Sequence, residues 1–290
     1  MGDAYVPNGS GSPGGAQAAE ASGTGRLRSG ARSTRWGLVA VTGVFLALTA
    51  APLLGLFAYA PCSMVFCPAT VVILRKTLAL TVSSSLTATL AAVIVGLPTA
   101  LCLARLSFRG RTVANALVEL PISLPPLVLG VALLLVWGRR GVIGSWLSSH
   151  GYHLSFTFAA VIIAQFVVAA PFFVRIAKAA IEQVPVSLEE ASRTLGRGPI
   201  GTYLRVPLPL AQRGILAGVI TCWARAMSEF GATIMFAGNF PGRTQTVPLA
   251  IFSTMQYDTV TSVSLSIFML AFSACTFVLA QTLLGRSAAR

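Results

Sequence analysis

The sequence predicts an all-α, polytopic membrane protein with six transmembrane helices. Hydrophobic residues make up 55% of the 290 residues and charged ones only 10%, against roughly 25% charged in a soluble domain. The apolar residues come in runs of about 20, the length of helix that crosses a bilayer core. Between those runs, lysine and arginine collect mostly on one side, as they do in the cytoplasmic loops of membrane proteins.

Residues 1–35 are rich in Gly, Ala and Ser and lack an apolar period, so they are expected to form a disordered cytoplasmic tail. The apolar run after them is too long for a cleaved signal peptide. A first span is expected at 36–59. A block at 77–284 then holds spans at 77–101, 117–137, 156–176, 210–236 and 260–284. The third opens with Pro121, Pro125 and Pro126. Proline lacks an amide donor and clashes with the preceding turn, so the first turns of that span are expected to be kinked or unwound. A polar, basic stretch at 185–209 separates the fourth span from the fifth.

On this layout fifteen of the 21 lysines and arginines, among them Arg105, Arg109, Arg111, Arg193, Arg197 and Arg205, share one side. Five (Arg75, Lys76, Arg139, Arg140 and Arg243) share the other, and Arg225 lies inside a span. Both termini and the 185–209 stretch are therefore expected on the cytoplasmic side of a cell (inner or plasma) membrane. The net charge of +13 reads as topology plus attraction to anionic membrane lipid, not as nucleic-acid binding.

Cys102, Cys222 and Cys275 lie in apolar runs and read as packing residues. Cys62 and Cys67 share a short external loop in which a disulfide is possible. His150 and His153 read as solvated loop residues, and no spacing suits a metal, a cofactor or a catalytic triad. No phosphate-cradling glycine loop is present, so this chain is not itself an ATPase, and a transport cycle driven by ATP needs a second subunit.

The 185–209 stretch carries turn signals around a short helix. Ser187 is a helix-start residue, with Glu190 three positions on as its capping-box partner. Gly196 suits the left-handed residue that stops a helix, and Gly198, Pro199 and Gly201 follow. The order Glu190-Ala191-Ser192, Gly196 and Val206-Pro207-Leu208-Pro209 resembles the signature E-A-A-x-x-x-G-x9-I-x-L-P of ABC importer permeases, with Ser and Val at two of its positions. The run PISLPPLVLGVALL also resembles the start of the third helix in that family. The resemblance covers roughly residue 77 to the end, leaving the first span and the tail outside it. It implies the type I (MetI-like) permease fold. It also implies that 185–209 is the coupling loop, docking on an ATPase subunit through Ser187, Glu190, Ala191, Gly196, Leu208 and Pro209.

Two polar features lie at membrane depth or beside it. Arg225 and Glu229 are four apart on one helix and share a face. Ionisable residues within a span face a bundle interior or a watery path. Two readings stay open: an internal ion pair that fixes packing, or a pair that lines or gates the route of an anion. Glu229 alone would repel an anion, so it reads as the partner of Arg225. The following segment, with Asn239, Arg243, Thr244 and Gln245, offers glycine amides, hydroxyls and a guanidinium that suit a tetrahedral oxyanion. An ordinary turn between spans explains it equally well.

The string from Ser228 to Met235, with AGN and PGRTQT after it, resembles the molybdate branch of the permease family. Tungstate and sulfate permeases are close variants. The resemblance implies two copies around one pore, cytoplasmic ATPase subunits, and an extracytoplasmic oxyanion-binding protein. The rival from another class is a proton-coupled secondary transporter that uses Glu229. It would favour internal repeats, and none is visible.

Overall fold

A computed structural model describes the backbone over residues 14–59 and 68–286. The described residues form helices and short connections, with no strand among them. Cys62 and Cys67 fall outside the described residues. The chain divides into two units, Met1–Tyr59 and Ala60–Arg290.

The first unit contains one helix, α1 (Gly14–Tyr59). Helix therefore reaches back through most of the segment expected to be a disordered tail. The physical reason lies in its composition: alanine, glutamine, glutamate and arginine, all strong helix formers, outweigh the glycines between them. Its Trp36–Ala58 portion is apolar and long enough to cross a bilayer.

The second unit starts with α2 (Pro68–Arg105), which begins well before the expected residue 77 and takes Arg75 and Lys76 into the helix. Next come α3 (Arg111–Ser123) and α4 (Pro126–Trp137), bent by 115° at the break between them. The prolines thus do more than kink the third span; they split it. Leu124 takes the extended conformation that a residue before proline prefers, and Pro125 and Pro126 open the new helix. A short α5 (Gly144–Ser149) leads to α6 (Phe158–Glu182), whose start is capped by the Thr157 hydroxyl accepting from the Ala160 amide at 3.3 Å. The polar stretch folds as α7 (Val186–Thr194) and α8 (Pro199–Arg205).

The expected fifth span, 210–236, is also broken. It forms α9 (Pro207–Met227) and α10 (Gly231–Phe236). Beyond it, α11 (Val247–Thr254) occupies part of the expected external loop, and α12 (Thr259–Arg286) ends the described chain. Four helices among the described residues are long and apolar enough to cross a membrane, five if α3 and α4 count as one bent span. The six-span expectation falls short at α9, whose Gln212, Arg213 and Arg225 dilute its apolar character.

Helix α6 is the axis of the second unit. Its first half packs Ala160, Val161, Ala164 and Val168 against Leu129 and Leu133 of α4 and Ala232 and Phe236 of α10. Its second half packs Phe173, Ala177 and Ile181 against Ala92, Ala100 and Leu103 of α2 and Ala211, Cys222 and Ala226 of α9. The interfaces are rich in alanine because lipid is as apolar as leucine, so helices associate through close van der Waals fit rather than by leaving water. The approach is close at Gly130, where an added Cβ would lie 2.8 Å from Ala232 Cα and Met235 Cβ, and closer still at Gly214 of α9, where it would meet Ala180 Cβ of α6. Polar ties cross the same interfaces. Trp223 Nε1 donates to Ser85 Oγ at 3.0 Å, and the Val247 amide donates to Thr81 Oγ1 at 2.8 Å. Cys222 is buried in this core, Cys102 is half-buried, and Cys275 stands exposed on α12, so among the described cysteines Cys222 alone is a core packing residue.

Candidate functional site

Two places combine buried charge with a break between helices. The first is the 185–209 stretch. Helix α7 starts at Val186, one residue before Ser187, with Pro185 at the N-cap and no side chain capping the helix. The expected capping box between Ser187 and Glu190 is therefore absent. Proline sets its own φ at −59°, and its carbonyl accepts the Leu188 amide at 3.2 Å, so the turn begins without a hydroxyl. Ser187, Glu190 and Ala191 are exposed instead, along one face of α7.

The helix stops as the glycine pattern requires. Gly196 has φ +83°. Its amide donates to the Arg193 carbonyl at 2.9 Å, and the Arg197 amide donates to the Ser192 carbonyl at 3.4 Å. These two bonds form a Schellman end, which satisfies carbonyls that the helix leaves open. Pro199 then opens α8, and the buried hydroxyls of Ser192 and Thr202 meet at 3.4 Å to hold α8 against α7. Leu208 and Pro209 lie in the first turn of α9, Leu208 half-buried beside a groove that Leu97 and Leu216 also line.

The sequence reading missed the groups that fasten this stretch. Glu189, not Glu190, points inward and is 1% exposed. Its Oε1 lies 2.6 Å from Nε of Arg105, at the end of α2. The contact falls off the line of a hydrogen bond, so it acts chiefly through charge. The same guanidinium donates through Nη2 to the carbonyls of Ile181 at 2.8 Å and Val184 at 2.7 Å. Arg193, one turn on, lies 3.8 Å from Glu189 Oε2. A signal for the buried choice was available: Glu189 and Ser192 are three apart, on the face opposite Ser187 and Ala191.

The second place is the break between α9 and α10. Arg225 Nη1 lies 2.8 Å from Glu229 Oε2, with the arginine side chain 26% exposed and the glutamate 1%. Glu229 Oε1 accepts the Ala232 amide at 2.7 Å, at the start of α10. The carboxylate thus holds both sides of the break. The two groups share one locality as the spacing suggested, but the helix does not run continuously through both.

The loop after α10 is braced by its own polar groups. Thr244 is fully buried; its Oγ1 accepts the Phe240 amide at 3.1 Å and donates to the Gly238 carbonyl at 3.4 Å. Gln245 Nε2 donates to Ser253 Oγ at 3.2 Å, anchoring the loop to α11. Asn239 has a buried Oδ1 without a protein partner, and Arg243 is exposed. Sequence reasoning also passed over Gln165 on α6, fully buried with both amide atoms unpartnered, and over the unpartnered hydroxyls of Thr233 and Thr246. A lone glutamine within an apolar run was the signal that marked it. His150 and His153 bond locally, to the Trp146 carbonyl at 2.9 Å and Ser148 Oγ at 3.3 Å.

Comparison with known proteins bears on the family of the chain. A family model described as "binding-protein-dependent transport system inner membrane component" matches residues 92–288. The chain is 44% identical over 186 residues to the "probable transport system permease protein NifC" of Clostridium pasteurianum, covering 63% of this chain and 64% of that protein. It is 38% identical over 202 residues to the "molybdenum transport system permease protein ModB" of Mycobacterium bovis, covering 69% of this chain and 76% of that one. A "probable sulfate transport system permease protein cysT" of Nephroselmis olivacea is 36% identical over 191 residues, covering 66% and 67%. Among solved structures, an inward-facing MetNI methionine ABC transporter chain superposes with a TM-score of 0.61 at 18% identity, covering 76% of this chain and 99% of that one. That likeness is one of fold, and it matches the MetI-like architecture expected from the loop signature.

Proposed function

The chain belongs to the family of binding-protein-dependent transport system inner membrane components, and on that premise we propose that it is the membrane-spanning permease of an ATP-driven importer that carries molybdate into the cell. A single agreement carries the reading. The loop order Glu190-Ala191-Ser192, Gly196, Leu208-Pro209 marks an ABC importer permease, and the Mycobacterium relative bears a molybdenum transport name.

In this reading two copies of the chain enclose one pore. Cytoplasmic ATPase subunits dock on 185–209, and an extracytoplasmic oxyanion-binding protein delivers the ion. Both termini lie in the cytoplasm. Closure of the ATPase pair moves the two coupling helices, and the spans rock between inward and outward states. Pumping requires that the ion bind the two states with different free energies. The exposed face of α7, with Ser187, Glu190 and Ala191, meets the ATPase, and Gly196 ends the helix so that it acts as one rigid piece. Arg225 supplies positive charge along the ion's route, with Glu229 holding it in place. Arg243, Asn239, Thr244 and Gln245 shape the loop at the outer end of that route.

Uptake of labelled molybdate in cells lacking and then regaining the chain tests the substrate. ATP-dependent uptake competed by tungstate and only weakly by sulfate is expected; stronger competition by sulfate would transfer the reading to sulfate, as the Nephroselmis relative suggests. Uptake driven by a proton gradient without an ATPase would favour the secondary-transporter rival. That rival needs a carboxyl that alternates between partners, whereas the two oxygens of Glu229 are held by Arg225 and the Ala232 amide. Glu190→Lys is expected to uncouple ATP hydrolysis from uptake with membrane insertion intact, and normal uptake in that variant would remove the docking role.

A further inference from the structure

Helix α7 has two faces with different surroundings. Ser187, Glu190, Ala191 and Thr194 are exposed, while Glu189 and Ser192 are buried against the rest of the chain. The helix follows α6 after only three residues, 183–185, so a free joint at that point would let α7 swing without moving the spans. Arg105 closes the joint. From the end of α2 its guanidinium reaches the carbonyls of Ile181 and Val184, at 2.8 and 2.7 Å, and the carboxylate of Glu189, at 2.6 Å. Its side chain is 8% exposed and that of Glu189 is 1%. One planar fork thus binds three elements at once, a geometry that lysine does not reproduce.

We infer that Arg105 and Glu189 are positioning residues that clamp the inner face of α7 to the ends of α2 and α6, so that a push on its outer face moves the membrane helices instead of bending the joint. The inference rests on the importer reading for its mechanical meaning. The clamp itself is a statement about this chain alone. Both side chains lie on the inner side of α7, away from the exposed Ser187, Glu190 and Ala191. Removing the clamp therefore wastes ATP without abolishing its hydrolysis.

The test uses the complex purified with its ATPase and reconstituted in liposomes, with Arg105→Gln, Glu189→Gln, Arg105→Lys and the double Arg105→Gln/Glu189→Gln variant. Each neutralising single change is expected to lower the ions imported per ATP hydrolysed about tenfold, and the double variant to be no worse than the worse single, because groups in contact do not act additively. Arg105→Lys keeps the charge and is expected to fall between wild type and Arg105→Gln. A ratio equal to wild type in the assembled variants overturns the inference, as does impaired assembly with an unchanged ratio in the assembled fraction. Hydrogen exchange over 186–197 supplies a readout that needs no transport: faster exchange in Glu189→Gln than in wild type is expected, and an equal rate overturns the clamp. A wild-type complex without ATP-dependent uptake would remove the importer reading, and the exchange measurement would still decide the clamp.

Discussion

Two buried glutamates, each 1% exposed and each beside an arginine, do different work in this molecule. Glu229 meets an arginine four residues before it and an amide three residues after it, so its contacts fasten a local break in one stretch of chain. Glu189 meets an arginine from a distant helix that also holds the end of a third, so its contacts fasten tertiary structure. The surroundings differ accordingly: the Arg225 side chain is about three times as exposed as that of Arg105, 26% against 8%. A local pair survives partial loss because the backbone keeps its members close. The long-range pair has less of that support: Glu189 keeps a local contact only with the more distant Arg193, at 3.8 Å, and the close contact with Arg105 depends on packing.

The comparison can be broken by stability measurements in detergent. Arg105→Ala leaves a buried carboxylate with only the more distant, half-exposed Arg193 as counter-charge and two carbonyls without a donor, and is expected to cost about 3–5 kcal/mol, read as a lowered unfolding temperature. Arg225→Ala leaves Glu229 with the Ala232 amide and with water near the vacated guanidinium, and is expected to cost about 1–3 kcal/mol. Equal losses in the two variants would show that chain distance does not govern the strength of these pairs. Gly196→Ala sharpens the description of the loop. Nothing lies within 4 Å of an added Cβ there, so only the φ of +83° resists the change, at about 1–2 kcal/mol. A greater loss would reveal a packing role for that turn.

The smallest effect belongs to a third carboxylate, at the start of α12. Asp258 Oδ1 accepts the Val260 and Thr261 amides, each at 3.1 Å, and its other oxygen accepts the Thr261 hydroxyl. The Thr261 side-chain bond is the main reason that its carboxyl titrates below the usual 3.8. With the folded value below the unfolded one, its support for the helix start is complete above 3.8 and is lost as pH falls through the folded value. Asp258→Ala is expected to speed hydrogen exchange in the first turn of α12 at neutral pH and to make no difference once the wild-type carboxyl is protonated. A difference that persisted there would assign the effect to something other than the charge.

The helical, membrane-spanning character was legible because hydropathy and proline act along the chain. The end of α7 at Gly196 and the trouble at Pro125–Pro126 were legible for the same reason: each follows from what one residue's backbone permits. Helix starts were read less well. Ser187 has the right side chain for a cap, yet Pro185 opens the turn earlier and leaves that hydroxyl nothing to do. The pairing of Arg225 with Glu229 was visible from spacing, but the break at 228–230 was not, because an apolar run looks alike whether or not a buried carboxylate interrupts its hydrogen bonding. The polar groups of 237–246 suit an oxyanion or an ordinary turn equally well in the sequence. Those of Thr244 and Gln245 are spent within the loop and on α11, a matter of chain geometry that composition does not carry.

By itself the sequence determined that this chain is built of apolar helices with a short polar helix held between two turns, since both follow from periods and propensities that act over a few residues. Only the tertiary structure decided which of two adjacent glutamates turns inward and which arginine receives it. Burial of a charge depends on a partner brought close by packing, and that partner lies far away along the chain.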